Sequence, residues 1–104
     1  MEASTVLDGQ LVTLTGRLDV TGAATARDAL HTAIATGTGP LVVDLAGVEL
    51  LDATGLGVLV GSHRRARLAG RRLVLRDASP RVARLLWLIR IDRIITVDRS
   101  PTAA

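Results

Sequence analysis

The strongest constraint on the fold is a regular alternation between short apolar runs and longer stretches whose apolar residues recur at helical spacing. Three runs, LVVDL at 41–45, RRLVLRD at 71–77 and IITV at 94–97, each follow one such stretch. Repeated strand–helix units of this kind favour parallel strands joined by right-handed crossovers. We therefore expect an α/β fold. Because LVVDL reads as one continuous apolar run, we also expect this strand to be buried on both faces.

A β-hairpin is predicted before the repeated units, within TVLDGQLVTLT at 5–15. Asp8-Gly9 is a strong turn signal, and Val12 and Leu14 alternate with polar neighbours as in a half-buried strand. The hairpin adds an antiparallel pair to the sheet. The predicted sheet is therefore mixed, with the element order ββαβαβαβ.

Each predicted helix has its own boundary signals. Thr21 is the predicted N-cap of the first helix, and the second covers about 55–69 and is ended by Gly70. The third opens with Ser79 as N-cap and Pro80 at the first helical position. Its apolar stripe consists of Val82, Leu85, Leu86 and Ile89.

Length and composition suit one compact domain with an aliphatic core. We expect the 104 residues to form a single domain at 1–104, with its core at 5–98 and a disordered tail at 99–104. Apolar residues make up 48% of the chain, yet it has one Trp and no Phe or Tyr. We expect Trp87 to pack in the core or at its edge.

The same inventory excludes several function classes. Because the chain has no Cys, it has no disulfides, thiolate chemistry or Cys-type metal sites. No apolar run approaches the roughly 20 residues that span a bilayer. The N-terminal MEASTVLDGQ lacks the charged-then-apolar pattern of a signal peptide. We therefore expect a cytoplasmic protein without membrane insertion.

A cluster of arginines raises the question of a nucleic-acid partner. The net charge is +3, all thirteen basic residues are Arg, and six of them fall in RRARLAGRRLVLR at 64–76. Such a cluster can bind nucleic acid. Because no aromatic residues interleave for base stacking, we favour a solvated helix and strand face and predict no direct nucleic-acid binding.

An enzyme is not predicted, because the residues do not form a catalytic set. Thr54 and His63 lie nine residues apart on one predicted helix, which separates them by about 13 Å, too far for proton transfer. Both His31 and His63 are expected to be solvated or packed at an edge. The absence of Lys excludes a GxxxxGK phosphate loop. No metal or cofactor is predicted, since nearby acids usually cap helices or stay solvated.

The most informative stretch is VELLDATGLGVLVG at 48–61. Gly55 and Gly57 weaken the start of the second helix by about 1 kcal/mol each relative to Ala, and Asp52 and Thr54 place a polar pair beside them. N-capping by Asp52 or Thr54 explains the polar pair. It does not explain the glycines, which invite the close approach of another backbone or another molecule.

A hydroxyl at this helix start is also a good position for a phosphate, because free N–H groups and the helix dipole favour anions there. A phosphate on Thr54 would lie beside Asp52, repel it, and disrupt a partner surface built on Leu56 and Val60. The residues therefore suggest a switchable interaction surface. From the residues alone, capping and regulation remain equal alternatives.

Taken together, these segments resemble a known family. LVVDLAGVELLDATGLGVLVG, preceded by GRLDVTGAATARDAL and followed by LVLRDASPRVARLLWLIRIDRIITV, is similar to the STAS domain family and most of all to bacterial anti-sigma factor antagonists, over residues 5–98. The resemblance implies a mixed sheet of four or five strands with helices mainly on one face. The chain departs from the family pattern twice: Thr54 stands where Ser is common, and Arg90 where the third helix usually ends in Gly.

The resemblance also implies a function. In antagonists, an anti-sigma factor that is itself a Ser/Thr kinase phosphorylates a hydroxyl at the start of the second helix, and a PP2C-like phosphatase reverses this. Phosphorylation ends binding and so regulates transcription that depends on the sigma factor. Thr54 is the implied phosphorylation site. The implied partner-binding residues are Asp19, Asp52, Gly55, Leu56, Gly57 and Val60. The alternative is a STAS scaffold or accessory subunit, in a sensory assembly or beside a transport ATPase, without phosphate cycling.

Overall fold

A computed structural model describes residues 1–6 and 8–98 as a five-stranded sheet with three α-helices and one short 3-10 helix. The elements are β1 Glu2–Val6, β2 Leu11–Leu18, α1 Ala23–Thr36, β3 Leu41–Leu51, α2 Ala53–Leu68, β4 Leu73–Arg76, α3 Pro80–Leu88, the 3-10 helix Ile91–Arg93 and β5 Thr96–Asp98. The strands lie in sequence order, with β1 and β2 antiparallel and the others parallel. The predicted α/β fold, mixed sheet and element order are confirmed. The tail expected at 99–104 lies outside the described residues.

The predicted Asp-Gly turn joins β1 to β2 and also contacts α1. Asp8 and Gly9 have φ angles of 53° and 81°, in the left-handed region that such turns use. A Cβ on Gly9 would lie 2.7 Å from the Ala33 carbonyl oxygen and 2.8 Å from the Gly37 nitrogen. The hairpin therefore packs its turn directly against the C-terminal end of α1, and Gly9 is the residue that allows this contact.

The helices cover one face of the sheet. Because the strands follow one another in order across the sheet, right-handed crossovers place successive helices on the same side. Burial alternates along β2 and β3 accordingly, with fully buried side chains at Val12, Leu14, Leu41, Val43 and Leu45. Val42 and Asp44, on the opposite face, are only half-buried. The prediction that LVVDL is buried on both faces is therefore wrong, since a continuous apolar run does not require a second covering layer.

Strand β3 is much longer than the predicted run at 41–45 and continues to Leu51. Its pairing with β2 shifts register twice, between Thr13 and Thr15 and between Gly16 and Arg17. After these irregularities Leu18 pairs with Leu51. The two strands therefore end side by side, and the residues that follow them share one edge of the sheet.

Arg71 has a different environment from the solvated face predicted for the arginine cluster. It is only 5% exposed, and its guanidinium donates to backbone oxygens of Gly9, Ala33, Ile34, Thr38, Gly39 and Pro40. Burial lowers the pKa of this guanidinium from its ordinary value. Arg71 thus joins the hairpin turn, the last carbonyls of α1 and the loop before β3.

The ends of α3 differ in how well they follow the prediction. Ser79 caps its start as predicted, accepting a hydrogen bond from the Val82 N–H at 3.4 Å, with Pro80 in the first turn. At its other end Arg90 adopts a left-handed conformation with φ 58° and ψ 40°, so the turn forms without the usual Gly. Trp87 is 59% exposed, which makes the expected packing of this side chain wrong.

The loop between β2 and α1 also departs from its prediction. Gly22, not Thr21, is the N-cap of α1 and makes no side-chain cap hydrogen bond. The Thr21 hydroxyl and N–H instead donate to Asp19. Among the residues that the structure describes, no helix has both the length and the apolar character required to cross a membrane.

Candidate functional site at the start of helix α2

The paired ends of β2 and β3 bring two predicted acids to the same edge of the sheet. Asp19 follows Leu18 and Asp52 follows Leu51, and these two leucines are partners in the parallel ladder. Asp52 is the N-cap of α2, where its Oδ1 accepts from the Gly55 N–H at 3.0 Å. The prediction that Asp52 caps α2 is therefore correct. Because Asp52 provides the cap, the hydroxyl of Thr54 is not needed for capping.

Asp19 is held by its own loop. It is 6% exposed, accepts hydrogen bonds from the Thr21 hydroxyl and N–H, and forms an ion pair with Arg17 at 3.2 Å. The Thr21 hydroxyl, with the Thr21 N–H and Arg17, lowers the pKa of the Asp19 carboxyl from its ordinary value of 3.8, against the opposing effect of burial. This acid therefore orders the loop beside α2, and a partner can reach little of its carboxylate.

Gly55 is needed for packing inside the domain. It is buried, and a Cβ at this position would lie 2.1 Å from the Leu18 carbonyl oxygen and 2.8 Å from a Leu51 methyl carbon. Another backbone does approach closely, as the sequence suggested, but that backbone belongs to β2. The prediction that Gly55 contributes to an exposed docking surface is corrected accordingly.

The remaining predicted residues form the accessible part of the site. Thr54 and Gly57 are exposed, and a Cβ added at Gly57 would meet no atom within 4 Å. Leu56 and Val60 are half-buried and pack partly against the hydrophobic core. The first turns of α2 therefore present a hydroxyl, a bare stretch of helix backbone and two partly covered aliphatic side chains.

A cleft of about 350 Å³ borders Thr54 and was not predicted from the sequence. It lies between α1 and α2 and is lined by Arg27, His31, Thr54, Gly57, Val58, Gly61, Ser62 and Arg65. The helical spacing of Arg27 and His31 marks one face of α1. Sequence spacing alone does not show that this face of α1 packs beside α2. Only the packing of the two helices in the structure shows it.

The two histidines have different surroundings. His31 is half-buried at the cleft, while His63 is buried and its Nδ1 has no hydrogen-bond partner in the described part of the chain. Burial lowers the pKa of both imidazoles, and nearby arginines lower it further. Within residues 1–6 and 8–98, no group of three or more His, Asp or Glu side chains is placed to hold a metal ion.

The family model for the "Mlab, STAS domain" matches residues 2–96. The chain belongs to the STAS domain family. The match begins at residue 2, before the start of the resemblance at 5–98, and so includes all of β1 at Glu2–Val6.

Solved structures with the same fold include anti-sigma factor antagonists. TM1081 of Thermotoga maritima, assigned as an anti-sigma factor antagonist, is 22% identical with a TM-score of 0.76, over 95% of this STAS domain and 86% of that chain. The antagonist SpoIIAA in its unphosphorylated form is 19% identical with a TM-score of 0.69, over 96% of this chain and 88% of that one. The phosphorylated form of SpoIIAA, from Bacillus, is 19% identical with a TM-score of 0.68, over 95% of this chain and 91% of that one.

Proposed function

We propose that this STAS domain is an anti-sigma factor antagonist that is switched by phosphorylation of Thr54. Its unmodified form binds an anti-sigma factor that is itself a Ser/Thr kinase, and phosphorylation ends that binding and so regulates sigma-dependent transcription. The observation that carries the proposal is the exposure of Thr54 in the first turn of α2, next to an accessible strip at Leu56 and Gly57. A solved SpoIIAA in each phosphorylation state supports the same cycle.

The physical basis of the switch is the charge that a phosphate brings to an otherwise uncharged strip. Phosphothreonine carries about −1.5 to −2 charges near pH 7. It would lie two residues from the carboxylate of Asp52, which already occupies the Gly55 N–H. A partner that covers Thr54, Leu56 and Gly57 would have to remove water from both anions. Burying unpaired charge costs several kcal/mol, enough to dissociate a typical complex.

Phosphate transfer tests the modification itself. The protein, a candidate anti-sigma kinase and ATP are incubated together, and the modified residue is mapped by mass spectrometry. We expect phosphate on Thr54 and none on the Thr54→Val variant. Thr25 provides a matched control, because it is also an exposed threonine near a helix start, and Thr25→Val should leave the transfer unchanged. Phosphate on another residue would overturn the assignment.

Partner binding tests the consequence. We expect Thr54→Val to keep affinity for the anti-sigma factor and Thr54→Asp to weaken it by about tenfold or more, since a buried unpaired charge costs well over 1.4 kcal/mol. Calorimetry or a pull-down measures the difference. Treatment of the phosphorylated protein with a PP2C-like phosphatase should restore binding.

The second candidate is a STAS accessory subunit that docks a larger protein permanently. The match of residues 2–96 to the model of the "Mlab, STAS domain" supports this candidate. The same surface would then serve as a constant interface. Partner binding that is equal for Thr54→Asp and the unmodified protein would support this candidate and exclude the switch.

A further inference from the structure

The cleft between α1 and α2 is lined by basic side chains and by no acidic one. Arg27 and His31 come from α1 and Arg65 from α2, and none of the lining residues is acidic. Neither arginine forms an ion pair in the described part of the chain. Two guanidinium groups that face one cavity without a carboxylate attract an anion strongly.

A buried hydroxyl supplies an independent sign of a ligand. Ser62 lines the same cleft, is fully buried, and its Oγ has no hydrogen-bond partner among the described residues. A buried polar group without a partner is costly, and native proteins seldom retain one without a reason. An anion in the cleft would accept the hydrogen bond that Ser62 lacks.

Two glycines keep the cleft open. Gly57 and Gly61 lie one turn apart on the lining of α2, and a Cβ at either would meet no atom within 4 Å. Neither glycine is therefore required by packing inside the domain, although each weakens the helix relative to Ala. Side chains at both positions would narrow the cleft.

We propose that the cleft between α1 and α2 is a phosphate-binding site, in which Arg27 and Arg65 donate from opposite helices and Ser62 donates from the floor. A phosphate dianion fits two guanidinium groups better than a single carboxylate does, because it offers three strong acceptor oxygens. The phosphate has two sources: a small phosphorylated molecule from solution, or phosphothreonine 54 of the same chain. The second source rests on the proposed function, and the first does not.

Helix geometry separates the two sources. Helices α1 and α2 follow the parallel strands β2 and β3, so both run in the same direction. Arg27 lies about one turn into α1 and lines the same cleft as Thr54. Arg65 lies eleven residues beyond Thr54, about 16 Å along the helix axis. We therefore expect a phosphate fixed on Thr54 to pair with Arg27 and not with Arg65, whereas a free ligand is not tied to Thr54 and can lie between the two arginines.

The first arm of the test uses inorganic phosphate and the full, unmodified chain. Arginine side-chain and His31 imidazole signals are followed by NMR during titration at constant ionic strength, with chloride as the reference anion. We expect saturable shifts, and binding weakened about tenfold or more in both Arg27→Ala and Arg65→Ala. Arg81→Ala, at an exposed position of α3, removes the same charge and should leave the affinity unchanged.

His31 provides a second readout in this arm. The charged groups around it are Arg65, Arg27 and Asp28, and burial with the two arginines lowers its pKa. A bound phosphate would offset the arginines, so the pKa of His31 should rise on saturation. Shifts that do not saturate, or that fall equally in Arg81→Ala, would indicate only general attraction to net positive charge and would overturn the free-ligand source.

The second arm uses the full chain synthesised with phosphothreonine at position 54, so that it needs no kinase. Phosphorus NMR then reports the pKa of the attached phosphate. We expect this pKa to be depressed, to return to its ordinary value in Arg27→Ala, and to be unaffected by Arg65→Ala. An ordinary phosphate pKa here, together with no saturable binding in the first arm, would overturn the proposal entirely. The antagonist function is tested separately, by phosphate transfer from the kinase and by partner binding.

Discussion

Glycines in α2 show that one residue type can serve opposite purposes within a single turn of helix. Gly55 leaves room for the backbone of Leu18, whereas Gly57 borders open space. Nothing in the spacing of the two residues distinguishes them. Only the path of β2 beside α2 decides which glycine is enclosed and which is accessible.

Substitution by alanine should therefore change stability in opposite directions. We expect Gly55→Ala to lower the free energy of unfolding by about 1–3 kcal/mol or more, because its Cβ would overlap Leu18. Gly57→Ala should raise it by up to about 1 kcal/mol through helix propensity. Urea unfolding followed by circular dichroism measures both, with Gly61→Ala as a second open position. Similar changes for Gly55→Ala and Gly57→Ala would contradict the packing described for Leu18.

Arg71 also shows that residue type alone does not predict the environment of a side chain. Its neighbours Arg72 and Arg67 are exposed, yet Arg71 binds a set of backbone carbonyls within the domain. A guanidinium can reach several acceptors at once because its five donors diverge in a plane. Its role depends on where the hairpin turn and the end of α1 meet, and these are distant in sequence.

We expect Arg71→Lys to destabilise the fold even though it keeps the charge. A lysine cannot span the same carbonyls, and each buried acceptor that loses its donor costs about 1–3 kcal/mol. Arg72→Lys is the matched control and should change the free energy of unfolding by less than about 0.5 kcal/mol. Thermal or urea unfolding gives the comparison. Equal stability of the two variants would mean that the carbonyls are satisfied without Arg71.

At the scale of elements, the helices begin and end where strong local sequence signals predicted. Ser79-Pro80 starts α3, and Gly70, with φ of 74°, follows the end of α2 as a left-handed glycine should. The boundary at the end of α3 is the exception, since Arg90 takes the left-handed conformation at a cost of roughly 1–2 kcal/mol. Tertiary contacts of the following 3-10 helix, whose Ile91 is buried, hold this turn in place.

Glycine should have opposite effects on the free energy of unfolding at the end of α3 and in its interior. Arg90→Gly should raise the free energy of unfolding by up to about 1 kcal/mol, because glycine adopts the left-handed region without steric cost. Arg84→Gly, in the interior of α3, should lower it by about 1 kcal/mol. Both arginines are exposed, so the loss of charge is matched. A destabilised Arg90→Gly variant would show that the side chain of Arg90 stabilises the turn.

At the scale of the whole molecule, the two histidines make stability depend on pH. The pKa of both His31 and His63 is lowered from 6.5, chiefly by burial. The folded protein therefore resists protonation that the unfolded chain accepts. The stability contributed by their neutral forms is complete above the unfolded pKa and is lost as pH falls through the lowered, folded pKa values.

Unfolding in urea at about pH 7.5 and about pH 5.5 should thus give a lower free energy in acid. Replacing both histidines by Gln should flatten the profile over this range. Asp19, with its lowered pKa, contributes in a separate and more acidic window: its contribution is present above the unfolded pKa near 3.8 and lost below it. A His-to-Gln variant with an unchanged slope would assign the pH dependence to other groups.

The sequence by itself determined the order of the elements, the Asp-Gly hairpin, the cap at Ser79 and the STAS family. These features depend on periodicity, turn chemistry and local motifs, all of which act over a few residues. The tertiary structure alone decided that LVVDL has one open face, that Arg71 is internal, that Gly55 is enclosed, and that Arg27 and Arg65 share a cleft with Thr54. Each depends on which surfaces meet once strands pair and helices pack, and such contacts join residues far apart in the chain.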